Sequence, residues 1–268
     1  MEFSKADCEQ QFALHFNNQP FGLGATRANI ARLLRSVDLI GWSTHEESGR
    51  IDRKAFARFA TGGTSVFSKR QHVEATKSAV SILIDCSGSM NEYGRIKVAE
   101  SVTVQLARIL EKSSVSFNVT GFYGNTGKTE LIAGGATPVN TIAPVEQAKF
   151  VPFKTWKENL ARASAKLGSI HQWARNSTPD YSAISVTIED LSRREEGRKI
   201  LFLLTDAEGY VRAHIKHLQN LADKVGVKIV AIGIGDTEVP KVFKNGENVT
   251  NVSDLASTSF NKLLKELR

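Results

Sequence analysis

Three short segments of this sequence gather hard oxygen donors beside apolar runs. The first is Asp85-Cys-Ser87-Gly-Ser89, an aspartate followed by two serines at alternate positions. The second is Thr178-Pro-Asp180-Tyr-Ser-Ala-Ile184, with a threonine six residues before an apolar helix position. The third is Leu203-Leu-Thr-Asp206-Ala-Glu-Gly209, which again ends an apolar stretch in a carboxylate. Hydroxyls from Ser87, Ser89 and Thr178 with carboxylates from Asp85 and Asp206 suit a small divalent cation. Mg²⁺ asks for octahedral oxygen coordination at about 2.0–2.1 Å and keeps some of its water; Mn²⁺ and Ca²⁺ bind oxygen sites too. A plainer account makes the two aspartates caps for the helices that follow. Capping does not require Ser87, Ser89 and Thr178, so the metal reading explains more of the pattern. Asp180 either supports the ligands from behind or simply begins its helix, and Glu208 reads as a solvated loop carboxylate.

The elements that must position these residues follow from the hydrophobic pattern. Ala79–Asp85 and Lys199–Thr205 are apolar runs ending at the two aspartates, as strands covered on both faces should read. Val115–Phe122 and Val227–Gly233 are further strands, and Asn248–Val252 is a short edge strand. Arg95–Leu110 carries Val98, Val102, Leu106 and Leu110 every four residues, one helical stripe. Helical patterns recur at Lys157–Lys166, Ser182–Ser192, Ala213–Val225 and Ser259–Leu267, whereas residues 124–152 read as irregular. This alternation predicts a three-layer, doubly wound α/β fold with a mostly parallel sheet. In such sheets ligands bind beyond the carboxyl ends of the strands. Ahead of that domain, 79–268, residues 1–78 read as a helical extension and connector. It holds a helix at Ala25–Val37, a short one at Asp52–Ala60 and an extended basic stretch from Thr64 to Ser78.

Composition narrows the class. The 268 residues suffice for one large core, and 41% hydrophobic with 24% charged residues excludes a largely disordered chain. Two cysteines, Cys8 and Cys86, cannot build a disulfide framework and point to a reducing compartment. The opening MEFSKADCEQQ lacks the basic and apolar regions of a secretory signal, and no apolar run approaches the ~18 residues of a membrane span. A cytoplasmic protein is therefore expected. The net charge of +7 leaves an acidic partner open, nucleic acid included. The lysines and arginines are spread along the chain without a nucleic-acid motif, so nucleic-acid binding is the weaker alternative.

Taken together, the Asp85–Ser87–Ser89, Thr178 and Asp206 segments resemble the von Willebrand factor A (vWA) domain and its metal-ion-dependent adhesion site (MIDAS). The resemblance implies that Ser87, Ser89 and Thr178 ligate the metal through hydroxyls, with Asp85 and Asp206 acting partly through bound water. It also implies that a partner's acidic residue completes the coordination. Further stretches, namely Ser48–Asp52, Val66–Arg70, Val80–Met90, Thr120–Phe122, Trp156–Leu160 and Ile232–Gly235, resemble the C-terminal part of the cobaltochelatase CobT subunit family. That family partners AAA+ ATPases of the MoxR type. The likeness implies an adaptor without an active site of its own, coupling such an ATPase to a client through a Mg²⁺ site. An actual metal-inserting chelatase subunit is the alternative. The acidic stretch of CobT proteins is not found among these residues, and Thr178 is closer to general A domains than to CobT.

Other signals carry less. Phe122–Thr129 approaches a phosphate-binding loop, but its glycines are out of register and no helix pattern follows. Cys86 reads as buried, with no histidine–aspartate set to activate it. Ser87 lacks the G-x-S-x-G frame of a nucleophile elbow. His171, His214 and His217 show no zinc spacing and read as exposed helix histidines. Trp156 and Trp173 read as core packing ahead of the alternative of interface anchors, and Arg193–Lys199 as a solvated loop.

Overall fold

The computed structural model describes residues 4–18, 23–34, 40–46, 48, 50–51, 67–72, 77–124, 147–208, 210–257 and 261. The helices are α1 (Lys5–Asn17), α2 (Leu23–Leu34), α3 (Arg95–Lys112), α4 (Leu160–Leu167), α5 (Asp180–Ser192), α6 (Arg212–Lys224) and α7 (Val239–Val242). The strands are β1 (Ile40–Glu46), β2 (Arg50–Ile51), β3 (Phe67–His72), β4 (Ser78–Asp85), β5 (Ser116–Tyr123), β6 (Lys149–Lys154), β7 (Arg198–Thr205), β8 (Val227–Ile234) and β9 (Gly246–Val249). They divide between two compact units, one holding the described residues of 1–34 and 78–268, the other those of 35–77.

The larger unit is built on a six-stranded sheet in the order β6-β5-β4-β7-β8-β9. Every neighbouring pair is parallel except β5 with β6. The predicted doubly wound, mostly parallel α/β fold is thus the observed one. Successive strand residues point to opposite faces, and both faces are covered, which is why the strands read as unbroken apolar runs. Val80, Ile82, Ile84, Ile200, Phe202 and Leu204 turn to the side carrying α3 and α4. Ala79, Leu83, Leu201, Leu203, Ile229 and Ala231 turn to the side carrying α5, α6 and α7. The chain leaves β4 toward β5 on one side of the sheet, while β7 adds on the other. The strand order therefore reverses between β4 and β7, and beyond the carboxyl ends of strands at such a reversal is where sheets of this kind bind ligands. Asp85 and Asp206 lie there.

The irregular region predicted at 124–152 ends in a strand. β6 runs antiparallel on the sheet edge, with Thr120 opposite Pro152, and an edge is where a strand tolerates proline. Helix α4 starts three residues later than its periodicity implied, because the Asn159 side chain accepts the Arg162 N–H at 2.9 Å and caps it. After β9, Asn251 and Asp254 close a capping box on a 3-10 helix, Val252–Ala256. Asn261 is the described residue of the predicted closing helix. The predicted helix at Asp52–Ala60 and the near phosphate loop after Gly124 lie outside the described residues.

Helix α1 has no counterpart in the sequence reading. Ser4 and Asp7 form a capping box at its start, and Cys8, Phe12 and Phe16 face the body. Its C-terminal carbonyls, which no helical N–H can reach, are taken up by α3. Gln105 Nε2 donates to the carbonyls of His15 and Asn18, and Arg108 Nη1 to that of Phe16 at 2.5 Å. The Arg108 guanidinium also lies 4.4 Å from the Phe16 ring centroid. His171 departs from its expected exposure. It sits half-buried in a 3-10 helix, Ile170–Gln172, 2.8 Å from the buried Glu100, whose other oxygen meets His15 Nε2 at 3.1 Å. Helix α2 docks through Thr26, whose hydroxyl donates to the Leu255 carbonyl at 2.6 Å, and through the buried Ile30.

The smaller unit is a three-stranded antiparallel sheet, β1-β3-β2, pairing Ile40 with His72 and Arg50 with Ser68. Among the described residues, no helix is long and apolar enough to cross a membrane.

Candidate metal centre

At the end of β4 the Asp85 carboxylate is fully buried. One oxygen accepts the Ser87 N–H at 2.9 Å and the other the Thr205 hydroxyl at 2.8 Å. Thr205, the last residue of β7, also accepts the Ala207 N–H at 2.9 Å, so its single proton is committed to Asp85. This residue ties the two strand ends together. The motif did not single it out; the signal for it is the parallel register, which sets Ile84 beside Leu204 and hence Asp85 beside Thr205. The Ser87 and Ser89 hydroxyls stand 3.0 Å apart. Two cis ligands of an octahedral ion, each about 2.1 Å from it, are separated by about 3.0 Å. Ser87 is buried and Ser89 half-buried.

The Thr178 segment is sewn to this turn by main-chain hydrogen bonds. Arg175 N–H donates to the Cys86 carbonyl and Gly88 N–H to that of Asn176, at 2.8 and 2.9 Å. Gly124 N–H donates to the Ser177 carbonyl at 2.8 Å. A side chain at position 88 would place its Cβ 3.2 Å from the Asn176 carbonyl, so glycine permits the close approach. Thr178 follows two residues later, half-buried, just before the buried Pro179 and the first residue of α5, Asp180. One Asp180 oxygen is buried without a hydrogen-bond partner among the described residues, and burial raises its carboxyl above the ordinary range.

Asp206 begins the loop after β7, nearly buried. Its oxygens accept the Glu208 N–H and Arg95 Nη1, both at 3.1 Å. Arg95, which the sequence reading passed over, opens α3 directly after the 3-10 turn Gly88–Gly94. Glu208 is 62% exposed, as expected, and reaches to 3.6 Å from the same Arg95 nitrogen. Burial first, and the charge of Asp206 second, push the Asp85 carboxyl from its ordinary 3.8 up to about 7; the hydrogen bonds from Ser87 and Thr205 pull the other way. The Tyr210 hydroxyl is buried beside these carboxylates, and burial, then the charge of Asp85, lift it well above the ordinary tyrosine value. Burial likewise drives the Cys86 thiol up, which fits a packing role rather than a nucleophilic one.

Among the described residues no group of three or more His, Cys, Asp or Glu gathers to hold a metal. A cation here would depend on hydroxyls and water, with two carboxylates balancing its charge. The donor set fits that demand: a fully buried carboxylate raised by burial and by the charge of a second one, beside two hydroxyls at the spacing of neighbouring octahedral ligands. Thr205→Val should weaken Mn²⁺ binding by about 10- to 100-fold, the usual cost of losing a group that orients a ligand. Titration followed by Mn²⁺ electron paramagnetic resonance reads this directly, and an unchanged affinity would remove Thr205 from the site.

Residues 66–267 match the family model described as cobalamin biosynthesis protein CobT VWA domain. No curated protein matches the sequence. Among solved structures, proximal thread matrix protein 1 of the mussel byssus, with a zinc-occupied MIDAS motif, aligns at TM-score 0.50 and 15% identity. The match covers 71% of this chain and 46% of that one, so the chain spans about half the mussel protein. Manganese-loaded TRAP protein of Plasmodium vivax aligns at TM-score 0.48 and 13% identity, over 72% of this chain and 73% of that one. BatB of Bacteroides thetaiotaomicron aligns at TM-score 0.48 and 15% identity, over 71% and 98%.

Proposed function

The chain belongs to the CobT VWA-domain family, and from that premise we propose that it is a metal-dependent protein-interaction adaptor that couples a MoxR-type AAA+ ATPase to its client. The ion is divalent, with Mg²⁺ the cellular choice for an all-oxygen site, bound through Ser87, Ser89 and Thr178 with Asp85 and Asp206 around it. One observation supports the reading: the buried Asp85 carboxylate, with the Ser87 and Ser89 hydroxyls 3.0 Å apart, lies at the carboxyl ends of β4 and β7, where Asp206 begins the loop after β7. Two carboxylates cancel the charge of a divalent ion, and a partner's Asp or Glu side chain then adds the coordinating anion. The ATPase supplies the work; this protein supplies the grip. No nucleophile–base set is assigned to it, and the +7 charge favours acidic protein surfaces.

The test is the affinity for the cognate MoxR-type ATPase, measured by calorimetry with Mg²⁺ and with chelator. We expect chelation or Asp206→Ala to weaken it at least about tenfold, the scale of one lost charge-assisted contact. Equal affinities in all three conditions would sink the metal-coupled adaptor. The family's description as a cobalamin biosynthesis protein favours a second reading, a chelatase subunit. Co-purification with a large catalytic subunit, and ATP-dependent metal insertion into a tetrapyrrole by the assembled complex, would separate the two.

A further inference from the structure

Arg95 stands at the rim of the centre with no role in holding the ion. Its Nη1 meets Asp206 at 3.1 Å and Glu208 at 3.6 Å. The Arg95 side chain keeps 21% of its surface exposed, while the Asp206 side chain keeps 1%. The guanidinium lies 5.5 Å from the ring centroid of Tyr93, which is 92% exposed. Both ion pairs run through one nitrogen, and a guanidinium carries five N–H donors in a planar fork that matches a carboxylate. An exposed aromatic and a half-committed arginine thus flank the mouth of the site.

Charge decides what this pairing does. A divalent ion between Asp85 and Asp206 balances those two carboxylates, Asp180 at the start of α5 adds a further half-buried carboxyl, and Arg95 supplies a positive charge in contact with Asp206 that the ion does not need. Glu208 is solvated and screened, so it offsets this only weakly. The surplus has no use in holding the cation, which Arg95 repels and with which it competes for Asp206. It has a clear use in holding an anion. We propose that Arg95 is the specificity-determining residue for the acidic ligand of this site, clamping the incoming carboxylate between its guanidinium and the metal. The inference rests on the metal-dependent reading above and names what selects the ligand.

The consequence is a pair of effects with opposite signs. In the full chain, Arg95→Gln is expected to raise Mn²⁺ affinity several-fold, by removing a like charge and freeing Asp206. The same change should weaken Mn²⁺-dependent binding of a hexaglutamate peptide by about tenfold or more. Arg95→Lys keeps the charge without the fork, and should hold Mn²⁺ as the wild type does while recovering only part of the peptide affinity. If wild-type protein binds hexaglutamate only with Mn²⁺ and Arg95→Gln leaves that affinity unchanged, the clamp is overturned and the metal-dependent reading stands. If Arg95→Gln instead weakens Mn²⁺ binding, Arg95 merely braces Asp206, and the proposal is again overturned. If the wild type binds hexaglutamate equally with Mn²⁺ and with chelator, both the clamp and the reading beneath it fall.

Discussion

Asp85→Asn is expected to abolish the stabilisation that a divalent cation gives this protein, and to make the cation-free protein more stable at pH 8. The two effects share a cause. The Asp85 carboxylate is fully buried, and burial with the nearby Asp206 raises its pKa from 3.8 to about 7. Between those values the folded protein keeps a proton that the unfolded chain has released. Stability from this group is therefore complete below about 4 and is lost as pH rises through about 7. At about 1.4 kcal/mol per pKa unit the loss approaches about 4 kcal/mol. Asparagine carries no charge and removes that slope. Its amide reproduces the oxygen that accepts the Ser87 N–H but not the one that takes the Thr205 proton, so the net gain is smaller, about 2–3 kcal/mol. A bound cation offsets the same buried charge in the wild type, adding about 2.7 kcal/mol at a hundredfold excess over Kd. Urea unfolding between pH 5 and 8, with and without Mn²⁺, measures all of this. A variant that still gains stability from Mn²⁺ would show that Asp85 does not hold the ion.

The candidate site was legible wherever its residues are close in sequence or end an apolar run. Asp85, Ser87, Ser89 and Asp206 announce themselves in that way, because strands of a doubly wound sheet are buried on both faces and must stop at the functional edge. Thr178 stood out as an oxygen donor between the two aspartate segments, and the family resemblance gave it a role; main-chain bonds tie its segment to the first turn through Arg175 and Gly88 and to the end of β5 through Gly124, and such bonds leave no trace in side-chain types. Thr205 and Arg95 were missed for different reasons. Thr205 reaches Asp85 through strand register, across 120 positions. Arg95 is delivered by a turn in which Tyr93 and Gly94 both take left-handed backbone angles, φ 53° and 70°. The fold shows the same division. Central strands were readable, whereas the edge strand β6, with its proline, was read as irregular. Helix α1 escaped because Cys8, Phe12 and Phe16 recur every four residues as a narrow stripe among polar neighbours, and its docking depends on contacts nearly a hundred residues away.

That docking yields the second large effect: Gly168→Ala is expected to strip α1 from the body of the domain. Gly168 follows α4 with an ordinary φ of −77°, so backbone freedom is not why glycine stands there. Space is. A Cβ at this position would fall 1.9 Å from the Cys8 carbonyl oxygen and 2.9 Å from the Phe12 nitrogen. Both are backbone atoms, and no rotamer change moves them aside, so α1 itself must lift. Lifting exposes Cys8 and Phe12, takes the helix-end carbonyls from Gln105 and Arg108, and parts His15 from the buried Glu100. Overpacking a core costs about 1–3 kcal/mol where side chains can adjust. Here the loss should reach or pass the upper end. The two free cysteines provide the measurement, since both are buried in the folded protein. Thiol alkylation should leave both slow in the wild type and make Cys8 fast in Gly168→Ala, with Cys86, buried in the core just beyond β4, still protected. Should Cys8 in that variant react as slowly as in the wild type, α1 does not pack against Gly168 in solution. Fast labelling of both thiols would instead mean that the sheet itself depends on α1 being seated.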